Sequence, residues 1–588
     1  MPDHPAVAGA MQLLNLGMKA EAMRSLQAAL KKSPGDASLN YTLAGLLHEE
    51  GQDDLALLHA ERAAASAPTV GLYKAFQGEV LMHLGKIPQA TKLLSRGLEL
   101  DPKLYAARVN LAMILVRELQ YDRAEVLLRE ATALRPNLGP AVNNLALVLI
   151  ETARADEAVS LLRDHLARQP GDVTAAGTLA NLGNYSDLIT PAQCAADHAT
   201  FGRLVESAHP PAPPPPSSLD GVLDIGFLSP DFREHSVAYF IEPILSGLPR
   251  ERWRVHGFFT GETDAMTSLL RSRVDVWHAL PRAPHAAIEQ AIRKAGVHVL
   301  VELSGITAGH ALPVIARRPA PVQVTYLGYP NTTGLRQLQA RIVDHQTDPP
   351  GSETYATEPL VRTEGCFLCF SPREVIEGRT HAPEAPARDV GPITFGSFNV
   401  ISKLSGTTIA LWSRVLRERE GSRLLLKARS LGSRSLAERV LSRFGAHGID
   451  PGRIDLVPFV PSHAEHLALY RRVDVALDPT PYNGTTTTCE ALWMGVPVVT
   501  LSGRTHAARV GRSILHAAGL GEWVAEDEDG FVRTACALVD ERVGLAECRR
   551  TLRSRLLTST LCDRTGAGVR FGAALERVIA ATLRGGRV

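Results

Sequence analysis

Leu477-Asp-Pro-Thr-Pro-Tyr-Asn-Gly-Thr-Thr-Thr-Thr-Cys-Glu-Ala-Leu-Trp-Met-Gly-Val-Pro-Val-Val-Thr500 reads as the end of a strand, a loop, a helix and a second strand. Pro479, Pro481 and Gly484 bar helix from the loop. Thr485, Thr486 and Thr487 can then cap the helix that follows. Capping hydroxyls, free backbone N–H groups and the helix dipole together make an anion site suited to a pyrophosphate. Glu490, one turn in, points to the same end and could accept hydrogen bonds from ribose hydroxyls. A threonine run can also do no more than cap a helix. The Glu and the Gly-Val-Pro before a second strand favour phosphate. A strand–helix–strand unit implies a parallel sheet, whose ligands sit beyond the carboxyl ends of its strands.

Working outward, further apolar runs follow Ile393-Thr-Phe-Gly-Ser-Phe, at Arg423-Leu-Leu-Leu-Lys, Arg453-Ile-Asp-Leu-Val and Val473-Asp-Val-Ala-Leu-Asp. An earlier series holds Leu223-Asp-Ile-Gly-Phe-Leu-Ser, Arg254-Val-His-Gly-Phe-Phe and Val297-His-Val-Leu-Val-Glu-Leu, with helical stretches near 236–247 and 284–295. Two Rossmann-like domains are expected, 219–375 and 391–588, joined by a polar connector at 376–390 and facing each other across a cleft. Before them, 209–218 (His-Pro-Pro-Ala-Pro-Pro-Pro-Pro-Ser-Ser) reads as a stiff polyproline spacer at a domain boundary.

Upstream of the spacer, Pro34, Pro68, Pro102, Pro136 and Pro170 stand thirty-four residues apart. That is the period of the tetratricopeptide repeat, a helix–turn–helix unit. Small residues recur in the same register: Ala10, Ala44, Gly78, Ala112 and Ala146 in the first helix, and Ala22, Ala56, Ala90, Ala124 and Ala158 in the second. A third column runs Ala29, Ala63, Gly97, Ala131 and then His165. Small side chains there let helices approach closely. Five repeats over 3–172 are expected to form an α-α superhelix, with 173–208 capping its open end. Asn110 and Asn144 share one inward position, where amides can bind the backbone of an extended peptide. Thr42 and Phe76 hold that position in earlier repeats, so the ladder is partial.

Totals bound the function. Lys and Arg number 63 against 62 Asp and Glu, a formal net charge of +1 that gives no general argument for nucleic acid or acidic membranes. No apolar run reaches the length of a membrane helix, and the first residues lack the layout of a secretory signal, so a cytoplasmic location is expected. Seven scattered cysteines make no disulfide framework. Cys366 and Cys369 form a C-x-x-C without a second ligand pair, in an apolar setting that favours two buried thiols over zinc.

Thr-Thr-Thr-Thr-Cys-Glu-Ala-Leu-Trp-Met-Gly-Val-Pro resembles the SPINDLY branch of the O-GlcNAc transferase family, glycosyltransferase family 41. Three more segments agree: Ile225 to Phe240, Arg318 to Gly334 and Phe395-Gly-Ser-Phe-Asn-Val-Ile-Ser-Lys403. The resemblance implies a GT-B fold with the donor in the cleft and no required metal; the nucleotide sugar is a substrate and no cofactor is needed. It matches His235 to the active-site histidine near the acceptor, where a ring of that pKa range could transfer a proton or polarise a hydroxyl. It matches Lys403 to the lysine that holds the donor diphosphate, offsetting charge on the leaving nucleotide. By the same match, Arg318, Asn399, His466, Thr485, Thr486, Thr487 and Glu490 serve nucleotide-sugar binding. Thr485 and Glu490 depart from the animal enzymes, which carry His and Asp there, and agree with SPINDLY.

The function expected is transfer of a sugar, GlcNAc from UDP-GlcNAc in the first instance, to Ser or Thr of polypeptides bound by the repeats. Fucose from GDP-fucose is the alternative, as is glycosylation of flagellin or another surface protein with a different sugar. A repeat scaffold with an inert transferase domain is the non-enzyme reading, but His235, Lys403 and Glu490 are all present. An enzyme acting on lipid or polysaccharide would need a membrane-facing stretch that the sequence lacks.

Overall fold

The computed structural model describes residues 4–215, 218–219, 221–378 and 391–584, so most of the expected connector lies outside the described residues. Two compact units divide the chain, Met1–Val148 and Leu149–Val588.

The first unit is a tetratricopeptide superhelix of paired helices: Pro5–Asn15 with Lys19–Lys32, Ala37–Glu49 with Asp53–Ser66, Gly71–His83 with Ile87–Leu100, and Tyr105–Arg117 with Tyr121–Leu134. Each second helix ends on a residue that has left helical geometry, Ser33, Ala67, Asp101 and Arg135, because the proline that follows disfavours helix before it. Ala10, Ala22, Ala44, Ala56, Ala90, Ala112 and Ala124 are wholly buried. A Cβ on Gly97 would stand 2.8 Å from the Cβ of Ala75, so the column admits nothing larger without a shift. In the second unit the column ends on His165, buried, with its Nε2 2.9 Å from Asp172 Oδ2.

The second unit carries two parallel sheets, the Rossmann-like pair of a GT-B fold. The first has seven strands: β1 (Leu223–Ser229), β2 (Trp253–Phe259), β3 (Val276–Ala279), β4 (Val299–Glu302), β5 (Val322–Thr325), β6 (Ala340–Asp344) and β7 (Leu360–Thr363), in the order β3-β2-β1-β4-β5-β6-β7. The second holds β8 (Thr394–Ser397), β9 (Arg423–Lys427), β10 (Ile454–Val457), β11 (Val475–Leu477), β12 (Val498–Leu501) and β13 (Val524–Ala525), in the order β10-β9-β8-β11-β12-β13. Each sheet thus reverses direction once, at β1/β4 and at β8/β11. Ligand crevices of doubly wound sheets open at such points.

Three features depart from the organisation read in the sequence. The division between units falls inside the Gly139–Glu151 helix and not at the Pro-rich stretch. That stretch is tied to the first sheet's surface: Ala212 N–H donates to Arg317 O, and Arg293 donates to Pro213 O. The helices Val173–Leu182 and Pro191–Ala208 join the core beside the first sheet through Ala176, Ala180, Phe201 and Val205. Contact there is so close that a Cβ on Gly202 would lie 1.9 Å from Gly334 O. Finally, the Arg564–Leu583 helix, expected in the C-terminal domain, packs on the first sheet's side. Phe571 lies against Phe227 and Tyr326, and Gly568 touches Gly247.

Cys366 and Cys369 are free thiols, their acidities suppressed chiefly by burial, as the apolar reading expected.

Candidate active site

A cavity of about 410 Å³ opens where the two reversal points face each other. The first sheet contributes His235 and Ser236 after β1, Thr307 after β4, and Leu327, Gly328 and Pro330 after β5. The second contributes Phe398, Asn399 and Lys403 after β8, and Tyr482 and Thr485 to Thr487 after β11.

The Thr486–Trp493 helix starts without a side-chain cap, contrary to the expected use of the threonines. Instead Thr487 Oγ1 donates to Asn399 Oδ1 at 3.1 Å, and Thr486 Oγ1 is buried without a partner. Among the described residues nothing accepts from the backbone N–H groups of Thr486, Thr487 or Thr488. The helix start therefore offers unspent donors and the positive end of its dipole to the cavity.

Lys403 comes to the same place from the short turn Ile401–Lys403. Its Nζ donates to Asn483 O at 2.6 Å and stands 4.1 Å over the ring centroid of Tyr482. Burial lowers its pKa to about 8, with Asp478 pulling the other way. Asp478 is buried, accepts from Gly484 N–H at 2.6 Å and Thr500 Oγ1 at 2.7 Å, and is pushed up to about 7 by burial. An ammonium held so loosely in charge terms gains from an incoming anion.

His235 caps the Ser236–Gly247 helix, its Nδ1 accepting from Val237 N–H at 3.3 Å. With Nδ1 so engaged, the neutral ring carries its proton on Nε2 and presents a donor. Burial lowers its pKa, outweighing the pull of Asp231 at 3.7 Å, which favours that neutral form.

Glu490 is buried and its carboxylate is taken by His466 Nε2 at 2.9 Å. His466 is no solvated surface histidine: its Nδ1 is buried without a partner, and its ring packs 5.7 Å from Phe398 in the cavity wall. The pair sits behind the wall and not in it.

Arg318 is a correction. It precedes β5, whereas the cavity lies after β5, so it stands at the opposite end of the sheet. Asn110 and Asn144 are half-buried in equivalent first helices, and neither side-chain amide has a partner among the described residues.

Sequence reasoning missed Tyr185, Tyr482 and Asp478. Tyr185 follows the Val173–Leu182 helix, lines the cavity and packs its ring 4.8 Å from that of Tyr482. Lys403 thus rests on Tyr482, and Tyr482 rests on Tyr185. Loop aromatics carry no periodicity that could have announced this.

The family model described as Glycosyl transferase family 41 matches residues 207–370 and 386–566, across both sheets and every cavity loop but the one that carries Tyr185. The chain belongs to glycosyl transferase family 41. A tetratricopeptide-repeat model matches 115–182. Among this family's curated members, the "Probable UDP-N-acetylglucosamine--peptide N-acetylglucosaminyltransferase SPINDLY" of Petunia hybrida is 40% identical over 359 residues, 60% of this chain and 38% of that protein. The protein of the same description in Arabidopsis thaliana is 38% identical over 365 residues, with the same two shares. The chain thus spans under two fifths of the length of these relatives. A solved mutant O-GlcNAc transferase of Thermobaculum terrenum is 30% identical, with a TM-score of 0.79 over 88% of this chain and 98% of that one.

Proposed function

We propose that this family 41 member is a protein O-glycosyltransferase that moves a sugar from a nucleotide donor to Ser or Thr of a polypeptide. The observation that carries the reading is the meeting of an uncapped helix start and a half-buried lysine at the second sheet's reversal point, across the cavity from that of the first sheet. Such a place fits a diphosphate. The acceptor hydroxyl attacks C1 of the sugar, the C1–O bond to the diphosphate breaks, and the diphosphate leaves with the electron pair. Lys403 and the N–H groups of Thr486 to Thr488 meet the charge that grows on it, so no metal is required. His235 offers its Nε2–H to an oxygen near the reacting centre. Among the described residues no carboxylate lines the cavity, so the hydroxyl proton passes to a phosphate oxygen of the donor. Asn399 fixes Thr487 at the helix start, and the His466–Glu490 pair backs the wall on the nucleoside side. Asn110 and Asn144 hold acceptor backbone in the repeats.

The relatives' descriptions name UDP-N-acetylglucosamine, which makes UDP-GlcNAc the proposed donor and GDP-fucose the one to test against it. Calorimetric titration of both into the full chain decides. Tight binding of UDP-GlcNAc alone supports the reading, tight binding of GDP-fucose alone reassigns the donor, and binding of neither, with UDP and GDP also silent, refutes the transferase reading. No described helix is long and apolar enough to cross a membrane.

A further inference from the structure

Beyond the cleft, the first unit brings three metal-ligating side chains together. His48 ends the Ala37–Glu49 helix, Asp53 opens the Asp53–Ser66 helix of the same repeat, and His83 ends the Gly71–His83 helix of the next. One donor atom from each lies within 4.8 Å of the other two, the one such group among the described residues. His48 Nδ1 and Asp53 Oδ1 are 2.5 Å apart, and the His48 and His83 rings meet edge to face at 4.5 Å. Phe76 packs edge-on to His48 at 6.0 Å and holds that ring in place.

The repeat register makes the grouping informative. Positions equivalent to His48 hold Leu14, Met82, Val116 and Ile150, and those equivalent to Asp53 hold Lys19, Ile87, Tyr121 and Ala155. Stacking therefore asks for neither a histidine nor a carboxylate here. The same junction one repeat earlier is closed by charge, with Lys19 Nζ 3.1 Å from Glu49, which holds the position equivalent to His83. Between the second and third repeats that ion pair is replaced by a carboxylate and two imidazoles. Two imidazole rings and a carboxylate that converge in this way can share a cation.

We infer that His48, Asp53 and His83 bind a divalent transition metal of the zinc class, which fastens the second repeat to the third. Two nitrogens and one oxygen suit zinc, nickel or cobalt over magnesium or calcium, which prefer all-oxygen shells. Zn–N and Zn–O bonds near 2.0–2.1 Å put tetrahedral ligand atoms about 3.4 Å apart. The His48–Asp53 pair must open by roughly 1 Å and the exposed His83 ring swing in by a similar amount, both within rotamer reach. Water takes the fourth position, reached from the exposed His83 side.

The experiment uses the full chain and zinc chloride alone, titrated by calorimetry at pH 7.5 beside His83→Ala and His48→Leu. His83 is exposed, and leucine is the residue the first repeat carries at the His48 position, so both variants keep the repeat fold; circular dichroism checks this. The expected result is one zinc per chain at micromolar affinity, weakened tenfold or more in each variant, with a zinc-dependent rise in melting temperature that both variants lose. Cobalt in place of zinc should give visible absorption bands that disappear in the same variants. Zinc binding that is absent, or that survives both substitutions undiminished, overturns the inference.

Discussion

Replacing Lys403 by alanine removes the one ammonium that lines the cavity among the described residues. A single preorganised donor to a developing oxyanion contributes about 3–4 kcal/mol. Much of that acts only as the diphosphate departs, so turnover should fall on the order of a hundredfold or more while donor KM changes by a few-fold. The structure adds a pH signature. Burial holds the ammonium at a pKa of about 8, so in the unsubstituted enzyme kcat/KM should decline as pH rises through that value and the lysine loses its charge. The residual activity of Lys403→Ala should lack this alkaline limb. A stability effect follows from Asp478, whose carboxyl is raised to about 7 by burial and lowered by Lys403. A folded-state pKa above the unfolded one means stability is lost as pH rises from the unfolded value towards the folded one. Without the lysine that loss continues beyond pH 7, so the variant's melting temperature should drop more between pH 7 and 9 than that of the unsubstituted protein. Turnover of purified protein with labelled donor, across pH 6 to 9.5, is the assay. Turnover within tenfold of the unsubstituted enzyme, or an alkaline limb that persists in the variant, would refute the assigned role.

The aromatic stack predicts that Tyr185→Leu lowers kcat/KM about fivefold, since a packed aromatic pair contributes about 1 kcal/mol. Tyr185→Phe should restore it, and donor titration kinetics would expose an equal loss in both. His198 is wholly buried between Cys194 O and Tyr329 Oη, and burial pushes its pKa down to about 4. Its neutral form stabilises the fold fully above pH 6.5, and that contribution is lost as pH falls towards 4. Urea unfolding should therefore show about 2 kcal/mol less stability at pH 5 than at pH 7 from this group, a slope that His198→Gln should reduce. Gly202→Ala forces a methyl against Gly334 O and should cost about 1–3 kcal/mol, read as a lowered melting temperature; an unchanged value would mean the helix can slide. Replacing both Asn110 and Asn144 by alanine should raise KM for a protein acceptor severalfold and leave donor KM unchanged, and equal changes in both would place the asparagines outside acceptor binding.

Much of this molecule is legible in its sequence, for particular reasons. The thirty-four-residue register survives because each repeat meets the same neighbours, so Ala22 and its equivalents answer one constraint again and again. Strands β1, β2, β8 and β9 show as apolar runs because both faces of a parallel sheet are covered. β13 escapes because two residues make no pattern, and β3 because its Val-Trp-His-Ala lies at a sheet edge. The docking of Arg564–Leu583 onto the first sheet's side is invisible because an amphipathic helix announces a buried face without naming what covers it. At the site, Lys403 and Thr485 to Thr487 follow from motif and spacing. Arg318 shows the weakness of motif transfer: residues adjacent in a quoted segment can lie at opposite ends of a strand.

Tyr185 and the two helices around it fold with the transferase core, yet by register they continue the repeats. Every residue of the cavity lies after Leu149, so repeats can be gained or lost before that point with the chemistry unaltered. A fragment started at the Pro-rich stretch would break that arrangement, opening the apolar cluster beside the first sheet to which Phe201 and Val205 belong and leaving Lys403 on an unsupported ring.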